Sequence, residues 1–244
     1  MRLGIFGKGR LGSAIAAAAR QSGVAVAWTL GREGTPPEPV DVAIDASVGS
    51  AVLDHVDWCA ARGVDLVIGA TGFEPASLDA RIAGRIGVVT APNFSLTVAL
   101  ATRIAGVFAR FAATDPASDP WVFERHRAAK RDAPSGTARL VAETMLAALP
   151  RKTGWRLADG GGAFAPHELS VGVLRAGHGA GELAFGLDSP DETIELRHEA
   201  RGPGAYAAGA LAACRFVRGK KGVFTMDDVS RAVLDPLFRA EAQR

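Results

Sequence analysis

The sequence has 244 residues, of which 28 are Lys or Arg and 26 are Asp or Glu, for a formal net charge of +2. This balance, without a concentrated basic patch, argues against a nucleic-acid-binding or membrane-surface protein. A hydrophobic share of 48% and a charged share of 22% exclude a disordered chain. We expect no targeting segment and no run approaching roughly 20 apolar residues, and therefore a cytoplasmic protein. Two distant cysteines, Cys59 and Cys214, predict neither a disulfide framework nor a metal site.

The first 95 residues alternate short apolar runs with longer amphipathic stretches. Such runs fit strands that are buried on both faces, and the alternation of strand and helix is typical of a doubly wound parallel sheet. The predicted strands lie at residues 3–6, 24–29, 40–45, 65–68 and 87–90, and the predicted helices at 11–21, 48–61 and 75–84. We therefore expect an α/β fold with a Rossmann-type parallel sheet.

The middle of the chain has a different pattern, in which strands follow one another with short links. Such a pattern favours a mixed or antiparallel sheet in an inserted α+β domain. Helices are predicted at 96–112 and 137–148, and strands at 121–125, 167–174, 181–187 and 192–199. Two more helices follow at 205–217 and 226–240, the second with Thr225 as its N-cap. The predicted division is a first domain at 1–95 plus 204–244 and an inserted domain at 96–203.

A G-x-G-x-x-G pattern lies directly after the first predicted strand and opens the first predicted helix. It comprises Gly7, Lys8, Gly9, Arg10, Leu11 and Gly12. In this context the first glycine permits a tight turn, the second lets the backbone approach a pyrophosphate, and the third lets helix and strand pack closely. The helix N-terminus adds free N–H groups and the positive end of the helix dipole. The pattern predicts a dinucleotide-binding domain, with a ligand-free glycine-rich turn as the alternative.

The end of the second predicted strand bears on the choice of nucleotide. An acidic residue there would bind the ribose 2′-OH of NAD, but Gly31 and Arg32 occupy this place. Arg32, with Arg10 or Lys8, could hold a 2′-phosphate through charge-assisted hydrogen bonds. Glu33 follows at once, and Arg32 could equally be a solvated loop residue. We favour NADPH as cofactor, with NADH as the alternative.

The densest polar cluster, residues 124–137, contains Lys130 in a chain that otherwise prefers arginine. Lysine and histidine can release a proton near neutral pH, whereas arginine cannot, and hydride transfer needs a matching proton donor. Residues 132–137 are typical of a turn that leads into a helix N-terminus, where hydroxyl and N–H groups could bind a carboxylate. The residues alone leave open an exposed basic loop followed by an ordinary helix cap.

Several segments, in order along the whole chain, resemble the 4-hydroxy-tetrahydrodipicolinate reductase (dihydrodipicolinate reductase) family of lysine biosynthesis. The stretch from Lys130 to Thr137 is the most specific of them. The similar segments are residues 7–12, 69–73, 91–95, 126–137, 193–198 and 219–229. The resemblance implies an NAD(P)H-dependent oxidoreductase that reduces the dicarboxylate 4-hydroxy-tetrahydrodipicolinate to tetrahydrodipicolinate, on the way to diaminopimelate and lysine.

The resemblance also implies roles for individual residues, and it implies no metal. Lys130 would donate the proton to the substrate carbon, and His126 would shape the site and its acid–base character. Ser135, Gly136 and Thr137 would bind a substrate carboxylate. The nicotinamide would be bordered by Gly69, Thr71, Gly72, Ala91, Asn93 and Phe94. The family fold pairs the dinucleotide-binding domain with a substrate-binding and oligomerisation domain, through which a homotetramer forms.

The sequence departs from the family pattern at several positions. Arg127 stands where the family has the second histidine of a pair, and an arginine can bind a carboxylate bidentately but cannot act as general acid or base. Ala129 precedes Lys130 in place of a histidine, and residues 69–71 lack one of two threonines. Two other readings therefore stay open: a related reductase for a different cyclic imine or dicarboxylate, and a non-catalytic nucleotide-binding protein.

The remaining polar residues receive simpler interpretations. Asp45, at the end of a predicted strand, is expected to cap a helix rather than touch a cofactor. His55, His167 and His198 are interpreted as surface or packing residues. His178 lies in a glycine-rich loop, where the family resemblance implies that a histidine approaches the substrate.

Overall fold

The structure, a computed structural model, describes residues 1–31, 34–159, 161–179 and 181–239. The chain forms two compact units. Unit 1 comprises Met1–Leu96 and Pro203–Arg244, and unit 2 comprises Thr97–Gly202. Unit 2 is therefore inserted into unit 1 along the chain, and each unit is built around a sheet of its own.

Unit 1 contains a sheet of six parallel strands, counted over the described ranges. They are β1 (Arg2–Phe6), β2 (Ala25–Leu30), β3 (Val42–Asp45), β4 (Asp65–Ile68), β5 (Gly87–Thr90) and β11 (Gly222–Thr225). Their order is β11-β5-β4-β3-β1-β2, and every neighbouring pair is parallel. β3 and β4 are buried along their whole length, as expected where helices cover both faces of a parallel sheet.

Helices bury the two faces of this sheet in separate apolar clusters. One cluster takes residues from α1 (Arg10–Gln21), α6 (Gly204–Val217) and α7 (Met226–Arg239). The other takes residues from α2 (Gly49–Arg62) and α3 (Leu78–Ile82). The predicted Rossmann-type architecture is therefore present in unit 1.

Four adjacent strands of unit 1 end in a single row. The strand register pairs Phe6 with Asp45, Asp45 with Ile68, and Ile68 with Thr90. The strand order reverses between β1 and β3, because β2 lies on one side of β1 and β3 on the other. Ligands of doubly wound sheets bind at the carboxyl edge beside such a reversal. The loops that follow these four residues are therefore the place where a nucleotide site is expected.

Unit 2 contains a mixed sheet, with five strands in the part of the chain that the structure describes. They are β6 (Asp119–His126), β7 (Gly154–Leu157), β8 (Glu168–Arg175), β9 (Glu182–Asp188) and β10 (Thr193–Glu199), in the order β10-β9-β6-β8-β7. β8 is parallel to β6 and β7, and β9 is antiparallel to β6 and β10. The predicted mixed sheet is present.

One face of the mixed sheet packs against α4 (Leu96–Thr114) and α5 (Gly136–Ala148). Val122, Val171 and Phe185 lie in this core. Since successive side chains of a strand point to opposite faces, Trp121 and Phe123 lie on the other face of β6.

The boundaries of several elements differ from the sequence-based expectation. The helix predicted at 75–84 is a 3₁₀ turn, Pro75–Ser77, followed by α3, which ends at Ala83 with φ +46°. The short strands β7 and β11 are not predicted by the sequence analysis. The backbone N and the hydroxyl of Thr225 both donate to Asp228 Oδ2, at 2.8 and 2.9 Å, at the start of α7. The predicted last residue of this helix, residue 240, lies outside the described residues.

α4 differs from the expectation that no apolar run approaches the length of a membrane span. It has 19 residues and a hydropathy of 1.5, which makes it the one helix in the described ranges that could cross a membrane by length and composition. Ala101, Ala105 and Ala109 of this helix lie in the core of unit 2. Because a core helix passes the same test, length and composition alone are weak grounds for a span.

Candidate functional site

The loop after β1 is shaped by three glycines that differ in what they contact. Gly7 has φ +108°, and a Cβ there would clash with the carbonyl oxygen of Ala46. A Cβ on Gly12 would clash with the carbonyl oxygen of Gly7. A Cβ on Gly9 would meet no atom within 4 Å, and its φ of −72° suits any residue. Packing thus accounts for Gly7 and Gly12, whereas Gly9 borders open space in which a ligand can approach the backbone.

The N-terminus of α1 is free to bind an anion. Gly9 is its N-cap and supplies no side-chain hydrogen bond, and the first turn holds no acidic residue. Lys8 and Arg10 beside it are exposed, and Leu11 packs against the core. Uncapped N–H groups and the helix dipole favour a phosphate at this point. The geometry therefore fits the pyrophosphate of a dinucleotide.

The end of β2 lies beside the side chain of Lys8. A Cβ on Gly31 would stand 3.8 Å from Lys8 Cδ. In a dinucleotide-binding sheet the residue after the second strand faces the adenosine ribose, so Lys8 can bring a positive charge to that position. Arg32, the other residue predicted to bind a 2′-phosphate, lies outside the described residues.

The loop after β4 carries the predicted residues Gly69, Thr71 and Gly72. The backbone N of Gly69 donates to the carbonyl oxygen of Asp45 at 2.8 Å, which fixes the start of this loop to the end of β3. Thr71 and Gly72 are exposed, and Gly72 has φ +84°. The loop therefore presents backbone and one hydroxyl at the row of strand ends.

The loop after β5 carries the predicted residues Ala91, Asn93 and Phe94. Ala91 is buried, and its backbone N donates to Ile68 at 2.9 Å. Asn93 Oδ1 accepts from the backbone N of Ser95 at 2.9 Å. Phe94 is only 2% exposed, and its ring lies where a Cβ on Gly69 would be. The ring of Phe94 therefore supports the loop after β4 from the core instead of facing open space.

A second polar site, in unit 2, is centred on Glu124 near the end of β6. Its carboxylate is fully buried. Oε1 accepts from the backbone N of Ser135 at 3.0 Å and from Arg175 Nη2 at 2.6 Å, and Oε2 lies 3.5 Å from His126 Nδ1. Arg175 Nη2 also donates to the carbonyl oxygen of Asp132 at 2.6 Å. These contacts fix the loop 126–135 to the mixed sheet.

The start of α5 lies at the end of this loop and carries Ser135, Gly136 and Thr137. Ser135 is the N-cap, and its hydroxyl accepts from the backbone N of Ala138 at 3.2 Å. Gly136 is exposed, a Cβ there would meet no atom within 4 Å, and the first turn contains no acidic residue. Since the N–H groups of Gly136 and Thr137 precede the first helical hydrogen bond, they are the donors that can bind a carboxylate. Ser135 itself is used to build the turn.

Lys130 and His126 lie on the same loop with different partners. Lys130 Nζ is 2.8 Å from Asp132 Oδ1 and 2.9 Å from Oδ2, and its side chain is 24% exposed. The predicted substrate ligand Arg127 is exposed. The glycine-rich loop after β8 packs on this segment, since Ala128 donates its backbone N–H to Gly177 at 3.1 Å. A Cβ on Gly181 would lie 2.9 Å from His126 Nε2, whereas His178 is exposed.

Burial and charge shift the pKa values of this cluster. Burial raises the pKa of the Glu124 carboxyl, but the hydrogen bonds from Ser135 and Arg175 outweigh burial and hold it below the ordinary value of 4.5. Burial lowers the pKa of His126 below 6.5, more than the Glu124 carboxylate raises it. The hydrogen bond from Lys130 lowers the pKa of Asp132. At neutral pH the site therefore pairs a Glu124 carboxylate with a neutral His126 imidazole.

Two central residues of this site, Glu124 and Arg175, have no role in the sequence-based prediction. Arg175 lies 51 residues from Glu124 in the chain. They meet because β6 and β8 are parallel and pair His126 with Arg175. One signal was available: Glu124 continues the alternation of buried residues begun by Pro120 and Val122, and a charged residue at a buried position needs a partner.

Family models cover most of the chain. The model described as Dihydrodipicolinate reductase, N-terminus, matches residues 33–94, and the model described as Dihydrodipicolinate reductase, C-terminus, matches residues 97–229. The second match alone spans more than half of the chain. It contains Glu124, Lys130, Arg175 and the start of α5.

Individual relatives agree with these matches. The 4-hydroxy-tetrahydrodipicolinate reductase of Myxococcus xanthus is 40% identical over 195 residues, which cover 78% of this chain and 71% of that protein. The enzyme of the same name from Gluconacetobacter diazotrophicus is 33% identical over 250 residues, with coverage of 94% and 96%. The structure of dipicolinate-bound dihydrodipicolinate reductase from Paenisporosarcina sp. TG-14 is similar with a TM-score of 0.72 at 21% identity, and covers 92% of this chain and 97% of that one. At that identity the structural likeness shows a common fold.

Proposed function

Because the chain belongs to the dihydrodipicolinate reductase family, we propose that it reduces 4-hydroxy-tetrahydrodipicolinate to tetrahydrodipicolinate with a reduced nicotinamide nucleotide. This places it in the synthesis of diaminopimelate and lysine. The observation that carries the proposal is the ordered loop between β6 and α5. There the most family-specific stretch of the sequence, Lys130 to Thr137, is fixed by the buried carboxylate of Glu124.

The nucleotide is assigned to the carboxyl edge of the unit 1 sheet. The N-terminus of α1 would bind the pyrophosphate, with Gly9 leaving room for it. The loops after β4 and β5 would border the nicotinamide, which supplies the hydride when it is bound. We favour NADPH over NADH because Lys8 lies beside Gly31, where it can pair with a 2′-phosphate. A lower ratio of NADPH to NADH kcat/KM in Lys8→Ala would support this preference, and an unchanged ratio would contradict it.

The dicarboxylate substrate is assigned to the start of α5. The N–H groups of Gly136 and Thr137 would bind one carboxylate, because the Ser135 cap accepts only from Ala138 and the first turn of α5 contains no acidic residue. The exposed guanidinium of Arg127 is a second group that can pair with a carboxylate. Binding in this way holds the substrate ring at a fixed distance from the loop that carries Lys130.

Lys130 is the proton donor in this proposal. Its Nζ–H, held by Asp132 at 2.8 Å, would deliver the proton that the substrate carbon takes up when the hydride is added, once the 4-hydroxyl group has left as water. His126 is neutral at pH 7 because burial lowers its pKa, so it brings no positive charge to the site. An arginine could not replace Lys130, since it does not release a proton near neutral pH.

The test is NADPH and NADH oxidation by the purified protein, with substrate generated in place from pyruvate and aspartate semialdehyde by the preceding enzyme. Lys130→Ala is measured beside the exposed control Lys220→Ala. Turnover that is lost only in Lys130→Ala, with nucleotide binding intact, supports the reaction and the proton donor. If the wild-type protein binds nucleotide but does not turn over, the assignment fails, and a panel of other cyclic imines and dicarboxylates tests the related reductase.

We also propose that the face of the mixed sheet opposite α4 and α5 joins copies of the chain into a homotetramer. Trp121 and Phe123 lie on this face, and their rings lie within 3 Å of where a Cβ on Gly186 and Gly172 would be. Two aromatic rings on the face opposite α4 and α5 can serve as anchors for a second copy. Light scattering should give four chain masses for the wild type and for Phe111→Glu on α4, and a lower mass for Trp121→Glu. A monomeric wild-type protein would refute this assembly.

We place the protein in the cytoplasm. Its family acts in biosynthesis on small metabolites, and both Cys59 and Cys214 are buried free thiols, as expected in a reducing compartment. Cell fractionation with antibody detection tests this placement, and recovery in the membrane or periplasmic fraction would contradict it.

A further inference from the structure

The buried Asp45 and the half-buried His55 form a pair that the proposed reaction does not use. Asp45 is the last residue of β3 and is fully buried, and its Oδ2 lies 2.6 Å from His55 Nδ1 in α2. The sequence analysis interprets His55 as a surface or packing residue and Asp45 as a helix cap. The packing interpretation of His55 agrees with its contact to Phe6, but the helix-cap prediction for Asp45 is wrong, because α2 has no side-chain cap and Asp45 bonds to His55 and Ser47. A buried carboxylate needs such partners, since desolvation of an unpaired charge is costly.

The ring of His55 is held in one orientation by Phe6. The two rings are stacked, with centroids 3.8 Å apart and planes inclined by 12°. Phe6 is the last residue of β1 and directly precedes Gly7. The stacking directs Nδ1 of His55 at Asp45. This nitrogen donates to the carboxylate whenever it carries a proton, whether the ring as a whole is neutral or charged. His55 therefore links α2 to the ends of both β1 and β3.

Asp45 in turn fixes the turn that lies against the glycine pattern. Its Oδ1 accepts from the backbone N of Ser47 at 2.9 Å and from the Ser47 hydroxyl at 2.5 Å. The turn of Ala46 and Ser47 is packed so closely on Gly7 that a Cβ there would clash with the Ala46 carbonyl and stand 3.0 Å from Ser47 N. Any shift of this turn would therefore shift Gly7 and the start of α1.

The backbone of Asp45 extends this network to the next loop. Its carbonyl oxygen accepts from the backbone N of Gly69 at 2.8 Å and of Ala70 at 3.2 Å. One residue thus sets the relative positions of the loops after β1, β3 and β4. All three border the edge at which the nucleotide is assigned, although neither Asp45 nor His55 is required to touch it.

We propose that Asp45 and His55 act as a positioning pair that holds these three loops in the geometry needed to bind the nucleotide. The proposal rests on the nucleotide site of the proposed function. It assigns His55 an effect on nucleotide affinity through Asp45 and the Ala46–Ser47 turn. It predicts no effect on how the substrate is bound in unit 2.

The experiment compares His55→Leu, which removes the donor, with His55→Asn, whose side-chain amide can donate at the position of Nδ1. His167→Leu, at an exposed histidine of unit 2, is the matched control. Dissociation constants for NADPH are measured by its fluorescence without substrate. We expect His55→Leu to raise the dissociation constant about tenfold, since a buried charged acceptor loses its partner, and His55→Asn and the control to stay within about twofold of the wild type.

Steady-state kinetics and thermal unfolding complete the design. In His55→Leu the KM for NADPH should rise with the dissociation constant, while the KM for the dicarboxylate substrate stays unchanged. If His55→Leu is less stable but binds NADPH as the wild type does, or if His55→Asn is as weak as His55→Leu, the positioning role is refuted. Failure of the proposed reaction gives a different result, because the wild type would then bind NADPH without substrate-dependent oxidation.

Discussion

Arg175 Nη2 lies 2.6 Å from Oε1 of the buried Glu124 carboxylate and 2.6 Å from the carbonyl oxygen of Asp132. A single guanidinium nitrogen therefore joins the strand that carries Glu124 to the loop that carries Lys130. The same carboxylate oxygen accepts from the backbone N of Ser135 at the start of α5. The stability of unit 2 and the shape of its proposed active site consequently depend on one ion pair.

Glu124→Gln should lower the stability of unit 2 and disturb the shape of its proposed active site. The amide keeps the size of the side chain but removes the buried carboxylate charge that pairs with Arg175, whose side chain is 17% exposed, which costs about 3 kcal/mol of unfolding free energy. Denaturant unfolding at pH 7 measures this loss. Glu143→Gln, at an exposed position of α5, should unfold as the wild type does. Equal stability of Glu124→Gln and the wild type would mean that Arg175 is not paired in solution.

The stability difference between Glu124→Gln and the wild type should also depend on pH. The pKa of Glu124 is lower in the folded protein than the ordinary 4.5, because hydrogen bonds from Ser135 and Arg175 outweigh burial. The carboxylate therefore contributes stability that is present above 4.5 and is lost as pH falls through the lower folded value. The difference in melting temperature should be constant from pH 7 to about 5 and should narrow below that. A difference that grows on acidification would contradict this assignment.

Lys130→Arg separates proton donation from charge. The arginine can keep the ion pair with Asp132 but cannot release a proton near pH 7. We expect kcat to fall about 10²-fold or more, with the dissociation constant for NADPH unchanged. Steady-state kinetics and nucleotide titration measure the two quantities. An active Lys130→Arg enzyme would show that residue 130 acts through its charge alone.

Gly9→Ala should weaken nucleotide binding without loss of stability, whereas Gly12→Ala should lower the stability of the protein. A Cβ on Gly9 meets no protein atom within 4 Å, so Gly9→Ala should melt as the wild type does but bind NADPH at least about tenfold more weakly, because the methyl group enters the space of the phosphate. A Cβ on Gly12 clashes with the carbonyl of Gly7, so Gly12→Ala should lose about 2 kcal/mol of stability. Thermal unfolding and NADPH fluorescence test both. Normal nucleotide binding by Gly9→Ala would remove the pyrophosphate from this position.

Ser135→Ala should act on stability more than on chemistry. The hydroxyl of Ser135 caps α5 by accepting from Ala138, and loss of such a cap costs about 1 kcal/mol. Ser135→Asn restores a capping side chain and should restore the melting temperature. In both variants kcat should remain within about threefold of the wild type. A selective rise in substrate KM in both variants would instead mean that the hydroxyl binds the substrate directly.

The sequence was informative where periodicity and glycine positions decide the structure. The continuous apolar runs of β3 and β4 are buried along their whole length, as their composition predicts. β11 was not predicted, because its four residues, Gly222–Thr225, are too few to show a periodicity that distinguishes a strand from a loop. It forms a strand because all four of its residues pair in parallel with β5.

In the candidate site, too, the sequence analysis singled out residues within one local stretch and missed contacts between residues distant in the chain. Lys130 and the start of α5 lie in one continuous stretch of sequence, so the resemblance to the family could single them out. Arg175 meets Glu124 only through the parallel pairing of β6 and β8, and His55 meets Asp45 only when α2 packs on the sheet. Spacing along the chain carries no direct information about such contacts. A charge at a buried position of a strand was the one local sign that a partner had to exist.

The insertion of unit 2 has a consequence for the order in which the protein can form during synthesis. Unit 2 ends at Gly202, and β11, which completes the other sheet, begins at Gly222. A nascent chain therefore holds all the residues of unit 2 while the sheet of unit 1 still has an unoccupied edge at β5. That edge exposes unpaired backbone groups to neighbouring chains. Until the last strand is made, the β5 edge of unit 1 is therefore a site at which the nascent protein can aggregate.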